Sequence, residues 1–263
     1  MMRLLPLILL LTLSVSSASA QLPAPLPGVP ILLYHRFGPT VADGMTITTP
    51  VFESHLKYLK ENGYTVIPLR RLVDWYRKQA PAPPAKSVVI VEDDAHKTVY
   101  SDMLPLVKKY QVPVTVFVYP SAISNATYAM TWNQVRELKK SGLFDIQSHS
   151  YWHPDFKGER KRLKPAEFEK LVDMQLRKSR EKLEKELGGP VDMLAWPFGI
   201  YDSYLLERAA AAGYTSTFTI ERRHAGPNDS VMKLPRYLLV NADQGKVFAR
   251  ILAGSGPQRN VVY

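Results

Sequence analysis

Along the chain, short apolar runs alternate with longer stretches in which apolar residues recur every third or fourth position. The strongest run is Val88-Val89-Ile90-Val91, four β-branched residues without polar alternation, which predicts a strand covered on both faces. Pro30 to His35, Tyr64 to Ile67, Val112 to Val118, Phe144 to Gln147, Met193 to Trp196, Thr215 to Ile220 and Leu234 to Val240 read as further strands. Helical spacing fills the intervals. Thr48-Thr49-Pro50 opens a helix carrying Phe52, Leu56 and Leu59, which Asn62-Gly63 stops. Others are predicted over Leu69 to Gln79, over Tyr100 to Tyr110, from Thr131 to Gly142 and over Leu205 to Ala212. The longest runs from Lys164-Pro165 to Gly188-Gly189, with Phe168, Leu171, Val172, Leu176 and Leu183 as its stripe. Such alternation predicts an α/β fold with helices outside a parallel sheet. For a chain of this size it suits an irregular (β/α) barrel of about seven parallel strands, whose working residues gather at the C-terminal strand ends.

The first 20 residues stand apart. A weakly positive start, an apolar run from Leu4 to Val15 and Ala18-Ser19-Ala20 form the pattern of a secretory signal peptide, too short in its apolar part to span a bilayer comfortably. Residues 21–263 are then expected to form a single domain, with its core over about 30–240. No later segment approaches transmembrane length, so the mature chain is expected outside the cytoplasmic membrane, in the periplasm or beyond the cell. The formal charge is +10 and there is no cysteine, which leaves neither a disulfide framework nor a lipidated N-terminus. Much of the positive excess lies in Lys157 to Lys164, expected as a solvated loop. An exported chain without aromatic interleaving in its basic run is not expected to take nucleic acid as a partner.

The central run leads straight into Glu92-Asp93-Asp94. Neighbours on an extended chain point to opposite sides, so one aspartate can hold a cation while the other takes a proton. A solvated acidic turn is the plainer alternative for such a pair. The segment Ser148 to Pro154 changes the balance. His149 and His153 are four apart, but Pro154 keeps His153 out of a helix, and a curled loop would aim both imidazoles at one point. Two imidazoles and a carboxylate make a site for zinc or a similar divalent ion.

With these motifs the chain resembles the polysaccharide deacetylases, carbohydrate esterases that remove N-acetyl groups from chitin-like polymers and peptidoglycan. Val91-Glu92-Asp93-Asp94-Ala95 is similar to their Thr-Phe-Asp-Asp-Gly motif, and His149 to Pro154 to their His-(Ser/Thr)-x-x-His-Pro motif. Ala195-Trp196-Pro197-Phe198-Gly199 matches their Arg-x-Pro-Tyr-Gly motif in part, in a form most similar to the subgroup acting on poly-β-1,6-N-acetylglucosamine. The resemblance implies that Asp94, His149 and His153 hold one divalent ion, zinc first, with cobalt or nickel as alternatives. It implies Asp93 as general base and the backbone N–H of Phe198 as an oxyanion donor, acting on an N-acetylated polysaccharide.

The departures shape the remaining expectations. Ala195 stands where the family keeps an arginine that orients the base, and Arg236 is the candidate replacement from the next strand. Glu92 replaces an apolar residue and would be costly in a buried strand unless paired, with Arg236 again a conceivable partner. Ala95 replaces glycine, so the turn after the base is expected to differ. The family's general acid, in a C-terminal Leu-x-His, has no counterpart here. His224 is a poor substitute, and His35 and His96 remain as candidates beside structural roles. Tyr151, Trp152 and Trp196 are the aromatic candidates for a sugar-binding groove, against ordinary packing, most of all for Trp196. The expected activity is N-deacetylation of an exported or envelope N-acetylglucosamine polymer. A catalytically weakened glycan-binding protein, or a deacylase of another ester or amide, is the alternative.

Overall fold

The computed structural model describes residues 28–257, so the expected signal peptide at 1–20 and nearly all of the proline-rich lead-in lie outside the described residues. The first half of the chain forms β1 (Ile31–Tyr34), β2 (Arg36–Gly38), β3 (Thr46–Thr48), α1 (Thr49–Glu61), β4 (Thr65–Val66), α2 (Leu69–Tyr76), β5 (Ser87–Asp93), α3 (Leu104–Tyr110) and β6 (Val114–Val118). The second half forms α4 (Trp132–Lys140), β7 (Phe144–Ser148), α5 (Phe156–Arg162), α6 (Pro165–Leu187), β8 (Met193–Ala195), α7 (Ser203–Ala211), β9 (Ser216–Phe218), β10 (Tyr237–Leu238) and α8 (Lys246–Leu252).

Seven strands lie side by side in the order β10-β1-β5-β6-β7-β8-β9, every neighbouring pair parallel. β4 pairs with the first two residues of β5. A bridge from Phe218 to Leu234, just ahead of β10, brings the two ends of the row together. The result is the curled parallel sheet of a (β/α) barrel.

The two faces of each strand go to different cores. Val88 and Ile90 of β5, with Leu32 and Tyr34 of β1, pack against the helices. Val89 and Val91, with Ile31, Leu33, Phe117, Met193, Phe218, Leu234 and Leu238, fill the interior of the curl. This explains the unbroken apolar run of β5, which is buried from Ser87 through Asp93.

Four details differ from the sequence expectations. The basic run expected as a solvated loop is the exposed helix α5, begun by Asp155, whose Oδ1 accepts the N–H groups of Lys157 and Gly158 at 3.0 and 2.9 Å. The helix expected from Tyr100 begins as a π-helical turn, Val99–Met103, and becomes regular only where Pro105 occupies the first turn of α3. The strand expected over Leu234 to Val240 pairs with β1 only at Tyr237 and Leu238, because Pro235 cannot donate to a ladder. The short β2–β3 pair and α8 carry too little periodicity to have been read.

Candidate active site

Alternation along β5 separates the three acids. Asp93 shares the interior face of Val89 and Val91, Glu92 the helix-facing side of Val88 and Ile90, and Asp94 follows the strand end. Arg236 lies between Leu234 and Leu238, two interior residues, and is fully buried. Its guanidinium donates to both oxygens of Asp93 at 2.7 and 2.9 Å, while its Nε donates to the carbonyl of Thr219 at 2.9 Å. Arg236 therefore meets Asp93, not Glu92, and the expected Glu92–Arg236 pairing is corrected. Burial pushes the Asp93 carboxyl up, but the Arg236 guanidinium overrides it and leaves the group below the usual carboxylate range.

Asp94 leaves the strand with φ 85°, and Ala95 follows at φ 55°. Both lie in the left-handed region, so alanine here keeps a backbone form that favours glycine. The turn expected to differ instead bears the strain of a Cβ. Its geometry aims Asp94 Oδ1 at His149 Nε2 and His153 Nε2, 3.6 and 3.8 Å away. The donor atoms of Asp94, His149 and His153 all lie within 4.8 Å of one another. Burial, with repulsion from Asp93, pushes Asp94 up to about 7. Burial holds His149 down to about 4 and His153 to about 3, so both imidazoles are neutral at neutral pH. His149 Nδ1 lies 2.8 Å from the carbonyl of Ala195, which accepts its proton and leaves the Nε2 lone pair facing Asp94. Two neutral imidazoles and one carboxylate converging on one point fit a divalent cation of the zinc type.

The loop bearing the histidines is held from below. Ser150 and His153 both have φ 63°. Gln175 of α6, fully buried, accepts the N–H groups of Tyr151 and Trp152 at 3.0 and 2.9 Å through its Oε1. Gln175 was missed in the sequence. Its signal was a polar residue between Val172 and Leu176 in an otherwise apolar stripe.

Asp93, Asp94, His149, His153 and Phe198 open onto one cleft of about 530 Å³, shared with His35, Arg36, Met45, His96, Tyr119, Tyr128 and Trp196. Phe198 sits in a single 3-10 turn after β8 at φ 55°, its ring centroid 4.5 Å from that of His153. His35 is buried, its Nδ1 has no hydrogen-bond partner among the described residues, and burial lowers it to about 4. The Nδ1 of His96 lies 2.8 Å from Thr98 Oγ1, and its ring stacks parallel to Tyr128. His224 lies elsewhere, against the carbonyl of Ile251 at 2.8 Å. The aromatic candidates divide. Trp196 borders the cleft but is fully buried, donates from Nε1 to Thr217 Oγ1 at 2.9 Å and packs edge-on against Phe156, so its indole is held as a core group. Tyr151 and Trp152 are not part of the cleft wall. The Tyr151 ring lies under the Lys178 ammonium, and Trp152 is 45% exposed.

Residues 80–217, more than half of the chain, match the sequence model of the polysaccharide deacetylases. The chain belongs to the polysaccharide deacetylase family. It is 26% identical over 199 residues to the poly-beta-1,6-N-acetyl-D-glucosamine N-deacetylase of Staphylococcus aureus, covering 74% of this chain and 68% of that protein. The Staphylococcus epidermidis enzyme of the same name is 24% identical over 201 residues, with the same coverage. Among solved structures, the Streptococcus pyogenes deacetylase PplD in complex with acetate superposes with a TM-score of 0.76 at 22% identity, over 89% of this chain and 100% of that one. IcaB from Ammonifex degensii gives a TM-score of 0.76 at 23% identity, over 88% and 97%. At such identities the structural likeness is one of fold. As a polysaccharide deacetylase, the chain is a hydrolase that places its acids and histidines at the strand ends of a shared barrel.

Proposed function

We propose that this deacetylase is exported, uses one divalent ion and removes N-acetyl groups from a poly-N-acetylglucosamine-like polymer. The observation that carries this reading is the joint convergence of Asp94, His149 and His153 beside an Asp93 clasped by Arg236, at the floor of an open cleft. The staphylococcal relatives named for poly-β-1,6-N-acetylglucosamine supply the substrate class. Export rests on the pattern of residues 1–20, and no helix among the described residues is long and apolar enough to cross a membrane. Zinc is the first expectation for the ion, with cobalt and nickel as alternatives.

When bound, the ion supplies Lewis-acid chemistry, acidifying a water and polarising the acetyl carbonyl. Asp93 takes the proton of the attacking water. Its pairing with Arg236 keeps it ionised and fixes its direction, and each carboxylate oxygen retains a second lone pair for that proton. Arg236 thus does the work expected of the arginine that Ala195 replaces, and this supports catalysis over a binding-only role. The Phe198 backbone N–H, in the turn after β8 at the cleft, is assigned the charge that develops on the acyl oxygen. His35, in the same cleft, with an unpartnered Nδ1 and held neutral at rest by burial, receives from Asp93 the proton taken from the water and passes it to the departing amine. One water and one amide yield acetate and a free amine.

Acetate release from β-1,6-linked and chitin-type N-acetylglucosamine oligomers tests this reading, with the mature protein metal-stripped, zinc-reloaded, and substituted Asp93→Asn. Release that needs both ion and Asp93 is expected. Oligomer binding without release in any form would leave the glycan-binding alternative standing, and release from an O-acetyl ester alone would move the substrate class.

A further inference from the structure

Glu92 is fully buried on the helix-facing side of β5, opposite Tyr34 of β1 and in line with Val88 and Ile90. An acid in such a position is costly, and nothing in the sheet pairing requires one. Its Oε1 makes no hydrogen bond of good geometry among the described residues, although the carboxyl also faces the backbone N–H of His96. Its Oε2 accepts the backbone N–H of Ala95 at 3.2 Å. That bond closes over the two successive left-handed residues, Asp94 at φ 85° and Ala95 at φ 55°, a conformation disfavoured for any residue with a Cβ. The other ties on this turn are backbone bonds, Asp94 N–H to Phe117 O and Met130 N–H to Ala95 O, both 3.1 Å. Glu92 is the side chain that fixes the peptide just beyond Asp94.

Resting on the metal reading above, we propose that Glu92 is a positioning residue for Asp94. Its carboxyl holds the Ala95 N–H and so keeps the strained turn in the form that aims Asp94 at His149 and His153. A residue retained for this purpose is costly to the apo fold and useful to the site. Stability and ion affinity should therefore respond in opposite directions when it is replaced.

The test is zinc affinity by competition with a chromophoric chelator, together with thermal melts of the metal-free mature protein. The forms compared are wild type, Glu92→Gln, Glu92→Val and Glu92→Val with Ala95→Gly. Glu92→Gln keeps an acceptor for the Ala95 N–H and should bind within about threefold of wild type. Glu92→Val removes a buried acid from an apolar face and should melt no lower than wild type, yet bind zinc about 10–100-fold more weakly, the usual effect of losing an outer-shell support. Adding Ala95→Gly, which suits the left-handed turn without help, should restore most of the affinity. Wild-type affinity in Glu92→Val overturns the assignment. So does a loss in Glu92→Gln as large as that in Glu92→Val. A wild-type protein that binds no divalent ion overturns the metal reading itself, and this assignment with it.

Discussion

Asp93 and Arg236, 143 residues apart, form a buried two-pronged pair with N···O distances of 2.7 and 2.9 Å. Removing either partner leaves a buried charge without its counter-charge. Arg236→Ala is expected to destabilise the fold by about 3–5 kcal/mol, the range for breaking a buried pair. Arg236→Lys keeps the charge but not the fork, so it should fold better yet hold Asp93 less firmly. The folded Asp93 lies below the usual carboxylate range, so the stability it contributes is present above that range and lost as pH falls through the folded value. Weakening the pair raises Asp93, and the acid limb of kcat/KM in Arg236→Lys should move to higher pH. An unmoved limb would mean that Arg236 does not tune the base.

This pair also marks where the sequence stops being informative. The parallel barrel was legible because β5 is apolar on both faces and strands alternate with helices, and the strand-end acids and the His149–His153 spacing were legible as motifs. That Arg236 serves Asp93 and not Glu92 follows from strand parity, since 89, 91 and 93 share the interior face with 234, 236 and 238. Parity across non-adjacent strands depends on the curl of the sheet, which local patterns do not encode. Gln175 escaped for a similar reason. Its partners are backbone N–H groups of a loop 23 and 24 residues away, and a backbone group leaves no mark in the sequence. The basic run became helix because Asp155 caps it, a local signal obscured by the charge that follows.

Ion binding should release about half a proton at pH 7 and nearly a whole one at pH 6, and the proton comes from Asp94. His149 and His153, at about 4 and 3, are already neutral at pH 6, whereas Asp94 titrates near 7. Below that value the ion must displace the Asp94 proton, so apparent affinity should fall about tenfold per pH unit and level off above it. Calorimetry in buffers of different ionisation enthalpy reads the proton directly. Affinity that stays flat between pH 6 and 8 would mean that Asp94 is already ionised when the ion arrives.

His35 and Asp93 should separate by leaving group. An amine cannot depart without a proton, whereas an activated aryl acetate can. His35→Ala is therefore expected to slow N-acetyl hydrolysis by about 10²–10⁴-fold and aryl acetate hydrolysis far less. Asp93→Asn should slow both, because both need an activated water. Equal losses of the two substrates in His35→Ala would deny His35 the acid's part and pass it to His96.

The two tryptophans near the site are expected to fail in opposite ways. Trp196 is fully buried, with its Nε1 bonded to Thr217 and its ring against Phe156, so Trp196→Ala should cost about 3–5 kcal/mol by emptying a large volume in the core. Trp152 is 45% exposed on the loop between the two histidines and fills no such volume. Trp152→Ala should leave the melting temperature within a degree or two and act on long substrates alone, raising KM for oligomers that extend past the cleft while sparing the shortest ones. Its indole offers a flat apolar face to a sugar ring at little cost in ordering. Melting curves and KM across a series of oligomer lengths distinguish the two. A length-independent KM in Trp152→Ala would place the polymer's path on another side of the cleft, past Tyr128.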